Sequence, residues 1–357
     1  MAEIQGFCDE RFEAVRETLS ANLDSGADAG ASVAVYLEGE PVVDLWGGDT
    51  QDGPWGQDTI INVWSVTKTM TALCALVLAD RGELDFHAPV AKYWPEFAAA
   101  GKEHVEVRHL MGHTAGLPDW NVRLRGGDLY DWEKATSALA AQEPQWEPGT
   151  ESGYHSLTQG YLVGEVVRRI TGRTLGTFFR EEIAGPLGAD FHIGLPAEHD
   201  HRVANVIPPE SDLPPAPPRR LAEVSWTPEW RRAEIPAAGG HGNARSVAQI
   251  QSVLAAGGGP LLSAAGCERV FEQQSDGIDR VLGMWIRFGL GYGLPSRGMP
   301  LPNPRSCAWA GWGGSIVVVD LDAHMTVSYV MNRMSGGMSG DDRGVGIIIA
   351  AYAGLAR

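Results

Sequence analysis

Ser65 and Lys68 stand three residues apart at the start of the apolar run "VTKTMTALCALVLAD", residues 66–80. On a helix, positions i and i+3 share a face, so the lysine amine would project beside the serine hydroxyl. A serine hydroxyl attacks a carbonyl only when a base takes its proton. A lysine can be that base if burial and the positive end of a helix lower its pKa, and Val66, Met70, Leu73 and Cys74 supply apolar surroundings. The same helix start would aim the Ser65 N–H at an incoming carbonyl, half of an oxyanion hole. The plainer reading is a helix cap with a solvated lysine, one of four lysines in the chain (68, 92, 102 and 134).

Two further stretches bear on that choice. In "PGTESGYHSLTQG", Tyr154 and Ser156 precede a helical pattern starting near Leu157. A phenol beside the lysine could share or relay the serine proton, while Ser156 on its own is a natural helix N-cap. "CAWAGWGGSIVVV" is a glycine-dense turn feeding a strand. Glycines there let the backbone approach a ligand and present N–H groups to an oxyanion, or simply make a β-bulge. There is no HExxH, Walker loop, complete GxGxxG or GxSxG elbow. His199, Asp200 and His201 fall in a polar loop, and His109 and His113 lack a third ligand nearby in sequence, so no metal site is expected.

The elements that must position these residues come from a chain of 357 residues, 44% hydrophobic, with net charge −17. That length can bury a large core, and the acidic balance argues against nucleic acid and anionic membrane surfaces. No run reaches the roughly 18 apolar residues of a membrane span. The N-terminal "MAEIQGFCDERFEAVRETL" lacks an apolar signal core, so a cytoplasmic location is expected. Cys8, Cys74, Cys267 and Cys307 lie far apart, as reduced thiols would.

Helical spacing of Phe7, Phe12, Val15 and Leu19 predicts an amphipathic helix from Phe7 to about Leu23. "ASVAVYLEG" and "PVVDLWGG" read as a hairpin turning at Glu38-Gly39-Glu40, and 66–80 as a buried helix closed by Gly82. Helical patterns, "LTQGYLVGEVVRRI" the clearest, fill about 85–190. "RSVAQIQSVLAAGG" and "SAAGCERVFEQQ" follow as helices. "VLGMWIRFGLGY", "SIVVVDLD" and "MTVSYVMN" read as strands, and a last helix runs from about Arg343 to Leu355. Strands at both chain ends predict one α/β domain, residues 1–84 plus 191–357. Its antiparallel sheet is assembled from both ends and flanked by helices, with an inserted all-helical domain over 85–190. The proline-rich 207–220 stretch, with Trp226 and Trp230 after it, makes 207–235 a surface excursion and a candidate flap over the cleft.

Taken in order, Ser65-Val66-Thr67-Lys68, Tyr154-His155-Ser156 and Trp309-Ala310-Gly311 resemble the SxxK, YxN and KTG motifs of serine hydrolases related to class C β-lactamases and penicillin-binding proteins. The blocks "PWGQDTIINVWSVTKTMTALCALVLADRGELDFHAPVAKYWPEF" and "VRHLMGHTAGLPDW" look like the corresponding family blocks. "AAGGHGNARSVAQI" looks like the loop bordering the family's substrate cleft. The resemblance implies a β-lactamase-like fold, an acyl-enzyme on Ser65, proton handling by Lys68 and Tyr154, and no metal or organic cofactor. It also implies an oxyanion hole from the Ser65 N–H and a backbone N–H near Trp312 and Gly313. By the same resemblance His241 lies in the cleft loop, while Asp119 and Trp120, just after the "HTAGLP" turn, either line the cleft entrance or cap the next element.

Two departures carry weight. Ser156 replaces the usual asparagine, and Trp309 replaces the lysine that helps hold a β-lactam carboxylate; an indole supplies no charge. The W-x-G pattern resembles the family VIII carboxylesterases, with Trp312-Gly313-Gly314 as an alternative register for the third motif. The expected activity is hydrolysis of small, uncharged, short-chain esters. Rivals are a β-lactamase or D-amino peptidase, an acyltransferase, and a penicillin-binding-type protein that acylates and stalls. Self-association, for instance as a homodimer, is left open.

Overall fold

The computed structural model describes residues 3–209, 219–337 and 340–356. β-Branched and aromatic runs near the N-terminus form β1 (Ile4–Cys8), β2 (Gly30–Leu37), β3 (Glu40–Thr50) and the short β4 (Gly53–Pro54). Next come β5 (Ile60–Asn62), β6 (His192–Ile193), β7 (Val203–Ala204) and β8 (Gly240–Gly242). The C-terminal part supplies β9 (Ser275–Ile278), β10 (Trp285–Phe288), β11 (Gly293–Leu294), β12 (Ser306–Ala310), β13 (Ile316–Asp320) and β14 (Met325–Met331). Ten of these strands make one sheet in the order β1-β3-β2-β14-β13-β12-β11-β10-β9, with β4 on β3; β6-β8-β5-β7 form a small second sheet. The ends of the chain meet where β2 pairs antiparallel with β14, Ala31 opposite Met331 and Leu37 opposite Met325. The expected α/β architecture, with a large antiparallel sheet from both chain ends, is therefore observed.

Helices of ten residues or more are α1 (Glu13–Asp24), α2 (Thr67–Asp80), α3 (Trp132–Ala141), α4 (Thr158–Thr171), α5 (Ala244–Ala255) and α6 (Asp342–Leu355). The sheet is covered on both sides. Val33, Val35, Val327 and Tyr329 face a cluster with Val15 and Leu19 of α1 and Ile347 of α6. The alternate residues Ala34 and Tyr36, with Val317 and Val319, face the cluster holding α2 and α5. Strands buried on both faces read as unbroken apolar runs, as "SIVVVD" does. Every residue of α2 from Thr67 to Leu78 is buried, which accounts for its nearly all-apolar sequence.

The β2–β3 hairpin turns where expected, with positive φ at Glu38 (53°) and Gly39 (83°), the pair that matches strand twist. Four expectations need correction. The proposed helix from Phe7 starts only at Glu13: Ile4–Cys8 pair with β3, and Asp9 accepts the Arg11 N–H to open the helical turn. "VLGMWIRFGLGY" is two strands, because Gly291 (φ 83°) turns the chain between β10 and β11. "SAAGCERVFEQQ" gives only a five-residue helix, Ala264–Glu268, and one 3-10 turn. Trp309 lies not in a turn but on β12, a strand missing from the sequence reading. Of the proline-rich stretch, residues 210–218 lie outside the described residues.

No helix among the described residues is long and apolar enough to cross a membrane. The four cysteines are free thiols, three of them buried.

Candidate active site

Between Ile60 and Leu78 every residue is buried except Ser65, so the one hydroxyl open to the cleft is the one the spacing singled out. The turn that carries it is strained. Trp64 has φ 50°, a conformation costing a non-glycine residue about 1–2 kcal/mol. It is held there by packing, its indole lying 5.6 Å from Trp230 and 5.0 Å from Trp312. Hydrogen bonds tie down both sides: Val63 N donates to Gly240 O at 2.9 Å, and the Thr67 hydroxyl donates to Trp64 O at 2.6 Å while accepting from Gly240 N at 2.9 Å.

One turn into the helix, Lys68 is 1% exposed. Its Nζ lies 3.2 Å from Ser65 Oγ, 2.7 Å from Ser156 O and 3.0 Å from Ala237 O. No carboxylate pairs with it among the described residues, and burial pushes its pKa well below the ordinary lysine value. A neutral amine has two hydrogens and one lone pair. With the hydrogens on the two carbonyls, the lone pair is left for the Ser65 proton.

Tyr154 Oη lies 2.6 Å from Ser65 Oγ on the other side, and the Lys68 Nζ sits 4.7 Å from its ring centroid. Burial raises the pKa of this phenol, so it stays protonated where Lys68 is neutral. The loop around Tyr154 has no ladder hydrogen bonds and is pinned by one main-chain carbonyl and by side chains. Gly153 N donates to His113 O, His155 N to His113 Nδ1 and Tyr154 N to Asp279 Oδ1, each at 3.0 Å. His155 Nδ1 meets Gly153 O at 2.6 Å while its Nε2 accepts from Leu117 N at 3.1 Å. Burial holds His155 at about 4 and His113 well below its usual range, so both imidazoles are neutral braces.

Beyond β12 the chain returns to the Ser65 segment. A Cβ on Gly311 would lie 2.3 Å from Val63 O, so only glycine lets this turn lie against the Ser65 segment. Gly311 N donates to Ser315 O, Gly313 N to Gly337 O and Gly314 N to Gly311 O. That leaves the Trp312 N–H as the turn's unengaged donor among the described residues. Trp309 stacks on His113 (5.6 Å, 15°), and its indole nitrogen lies beside the Tyr154 hydroxyl without completing a hydrogen bond. Tyr154, Trp309 and Ala310 form one wall of a mostly apolar pocket. Leu282, Met284, Ile286, Gly298 and Met299 complete it, leaving about 70 Å³ open to water-sized occupants.

The structure thus brings together Ser65, Lys68, Tyr154, Trp309, Gly311, Trp312 and Gly313. Ser156 joins through its carbonyl; the helix cap expected of it falls instead at Leu157, without a side-chain hydrogen bond. Other expected residues lie elsewhere. Trp230 is no flap: it is 2% exposed behind Trp64, donating to Asn62 Oδ1 at 3.0 Å. Trp226 is 37% exposed and donates to Val206 O, in a surface hollow with Ile207 and Pro208. Trp120 packs on Tyr161 and donates to Ala135 O, and the Asp119 side chain is exposed. His241 is fully buried on β8, its pKa lowered to about 3 by burial. The pocket wall Leu282, Met284 and Ile286 escaped the sequence reading, although its alternation within "VLGMWIRF" marks one face of a strand. Ala237 O left no signal, because any residue can offer a carbonyl.

Comparison with known proteins places nearly the whole chain in one family. The beta-lactamase family pattern matches residues 15–352. The chain is 35% identical to the esterase/beta-lactamase LipL of Mycobacterium tuberculosis over 92% of its own length and 83% of that protein's. It superposes on a crystal structure of a family VIII carboxylesterase with TM-score 0.93 and 42% identity, covering 99% of this chain and all of the other. A penicillin-binding protein homologue from Caulobacter crescentus superposes with TM-score 0.92 and 38% identity over 99% of this chain and all of that one. With these matches spanning nearly the whole sequence, the chain belongs to the beta-lactamase family of serine hydrolases.

Proposed function

We propose that this protein is a carboxylesterase that hydrolyses short-chain, uncharged esters through an acyl-enzyme on Ser65. The observation that carries the reading is the bracketing of Ser65 Oγ by a buried amine at 3.2 Å and a buried phenol at 2.6 Å. Lys68 takes the hydroxyl proton as Oγ attacks the ester carbonyl. The Ser65 and Trp312 N–H groups receive the developing oxyanion. Tyr154, protonated, passes its proton to the departing alkoxide and is reprotonated from Lys68. In the second half, water attacks the acyl-enzyme by the same route in reverse.

Ester rather than β-lactam specificity is supported by the pocket. Its side-chain walls are mainly methionine, leucine, isoleucine, tyrosine and tryptophan, and among the described residues no cation lines it to meet a substrate carboxylate. Arg343, whose guanidinium reaches Gly313 O at 2.9 Å, is already engaged by Asp341 and Asp28. Of the similar proteins, one is named a family VIII carboxylesterase and another an esterase/beta-lactamase, so ester hydrolysis is common to both names. The test is hydrolysis of nitrophenyl acetate and butyrate by the wild type and Ser65→Ala. Turnover that disappears in the variant is expected; wild-type rates no higher than the variant's would overturn the reading.

A further inference from the structure

Asp279 lies between β9 and β10, outside the three sequence motifs, and it is 0% exposed. A buried carboxylate is expected to pair with a cation. The adjacent Arg280 turns away to Glu151 at 3.1 Å, and no salt bridge reaches Asp279 among the described residues. Instead one oxygen, Oδ1, accepts three backbone N–H groups: Tyr154 at 3.0 Å, Val281 at 2.9 Å and Leu282 at 2.9 Å. Oδ2 has no partner.

Two of those bonds are local and close a turn of the kind aspartate makes with its own following residues. The same turn is closed again through the main chain, Asp279 N donating to Met284 O at 3.0 Å and Gly283 N to Asp279 O at 2.9 Å. The third bond crosses 125 residues to the peptide N–H of the tyrosine that touches the nucleophile. Arg280 N donating to Ser152 O at 2.9 Å runs alongside it. The turn so fixed carries Leu282 and Met284, which line the apolar pocket with Tyr154. A single carboxylate oxygen therefore holds both the phenol's backbone and the pocket wall facing it. Tyr154 sits in a loop without strand or helix bonds, so this is the anchor on its own N–H.

We propose that Asp279 is a positioning residue that sets the distance between Tyr154 and the acyl pocket, so that proton transfer and chain-length selection depend on the same contact. This rests on the esterase reading for its substrates but not for its geometry. Losing the anchor lets the phenol retreat from Ser65 Oγ and lets the Leu282 wall relax together. Loss of catalysis and loss of selectivity then appear in one variant, which simple loss of folded protein would not produce.

The experiment compares wild type, Asp279→Ala and Asp279→Asn. The amide oxygen of the asparagine variant retains the acceptor. Each is assayed on nitrophenyl acetate and hexanoate, and for the rate at which a fluorophosphonate labels Ser65, all normalised to folded protein by near-UV circular dichroism. Asp279→Ala is expected to lower kcat at least 30-fold, slow labelling by a similar factor and shrink the acetate-to-hexanoate ratio of kcat/KM toward one. Asp279→Asn is expected to recover kcat to within about threefold. If Asp279→Ala does not fold, Asp279→Ser takes its place, since its shorter side chain can close the local turn but not reach Tyr154, and the same losses are expected. The proposal is overturned if the Ala or Ser variant keeps kcat within threefold, or if Asn is no better than Ala. It is equally overturned if catalysis falls while the ester preference stays fixed. A wild type that labels at Ser65 but turns over neither ester would instead sink the esterase reading, with the labelling rates still testing Asp279.

Discussion

Replacing Tyr154 by phenylalanine isolates the phenolic oxygen. The ring's packing on Trp309, His113 and Lys68 would survive, and what disappears is the 2.6 Å contact with Ser65 Oγ. Ser65 Oγ keeps Lys68 at 3.2 Å, so no buried group is stranded and the stability change should be about 1 kcal/mol. In a protein of this size that is roughly 1–2 °C in Tm. Catalysis should suffer far more. Loss of a positioned proton donor costs about 10²–10⁴ in rate, equivalent to roughly 2.7–5.4 kcal/mol of transition-state stabilisation. The loss should also depend on the leaving group. Nitrophenolate departs readily without a proton, whereas an alkoxide does not, so Tyr154→Phe should hurt ethyl butyrate more than nitrophenyl butyrate. The assay is kcat for both esters, by pH-stat and absorbance, with calorimetry on the same samples. A variant within threefold of wild type on the ethyl ester, or an equal loss on both esters, would refute the assignment of Tyr154 as acid.

The pH profile tests the other partner. Burial depresses the Lys68 pKa below its usual 10.5 and raises that of Tyr154 above its usual 10.0. The competent state, amine neutral and phenol protonated, thus spans the interval between the two shifted values and reaches further to the acid side than an ordinary lysine would allow. The kcat/KM of wild type should fall on the acid side as Lys68 gains its proton; an activating limb centred near pH 10 would contradict this. Gly311→Ala places a Cβ 2.3 Å from Val63 O and must push the oxyanion turn away. About 10²-fold or more should be lost from kcat, in keeping with loss of one oxyanion donor, and near-wild-type turnover by this variant would remove Trp312 N from the mechanism.

Much of this was legible because it rests on local chemistry. The two-residue turn at Glu38-Gly39 and the all-apolar α2 follow from short-range patterns, and the serine–lysine spacing is itself a helical distance. What stayed hidden depends on contacts between distant segments. "SCAWA" reads as part of a glycine-rich turn until β11 and β13 are available to pair with it. Trp230 follows a proline-rich stretch and so resembles a surface residue, yet Trp64 and Asn62 bury it. The acceptors that orient the Lys68 amine are main-chain carbonyls at residues 156 and 237, which no side-chain identity announces.

The pairing of β2 with β14 has a consequence for how the protein is made. Leu37 waits for Met325, so the β2–β3 hairpin exposes an open strand edge while the intervening 287 residues (38–324) are made. At bacterial-to-eukaryotic elongation rates of about 5–20 residues per second, that interval is roughly 15–60 s. The helix after Ser65 is made well before β12 and β13, the strands that carry the turn bearing Trp312. If Ser65 is the nucleophile, as proposed, the nascent chain carries a serine it cannot use until β12 to β14 close the sheet.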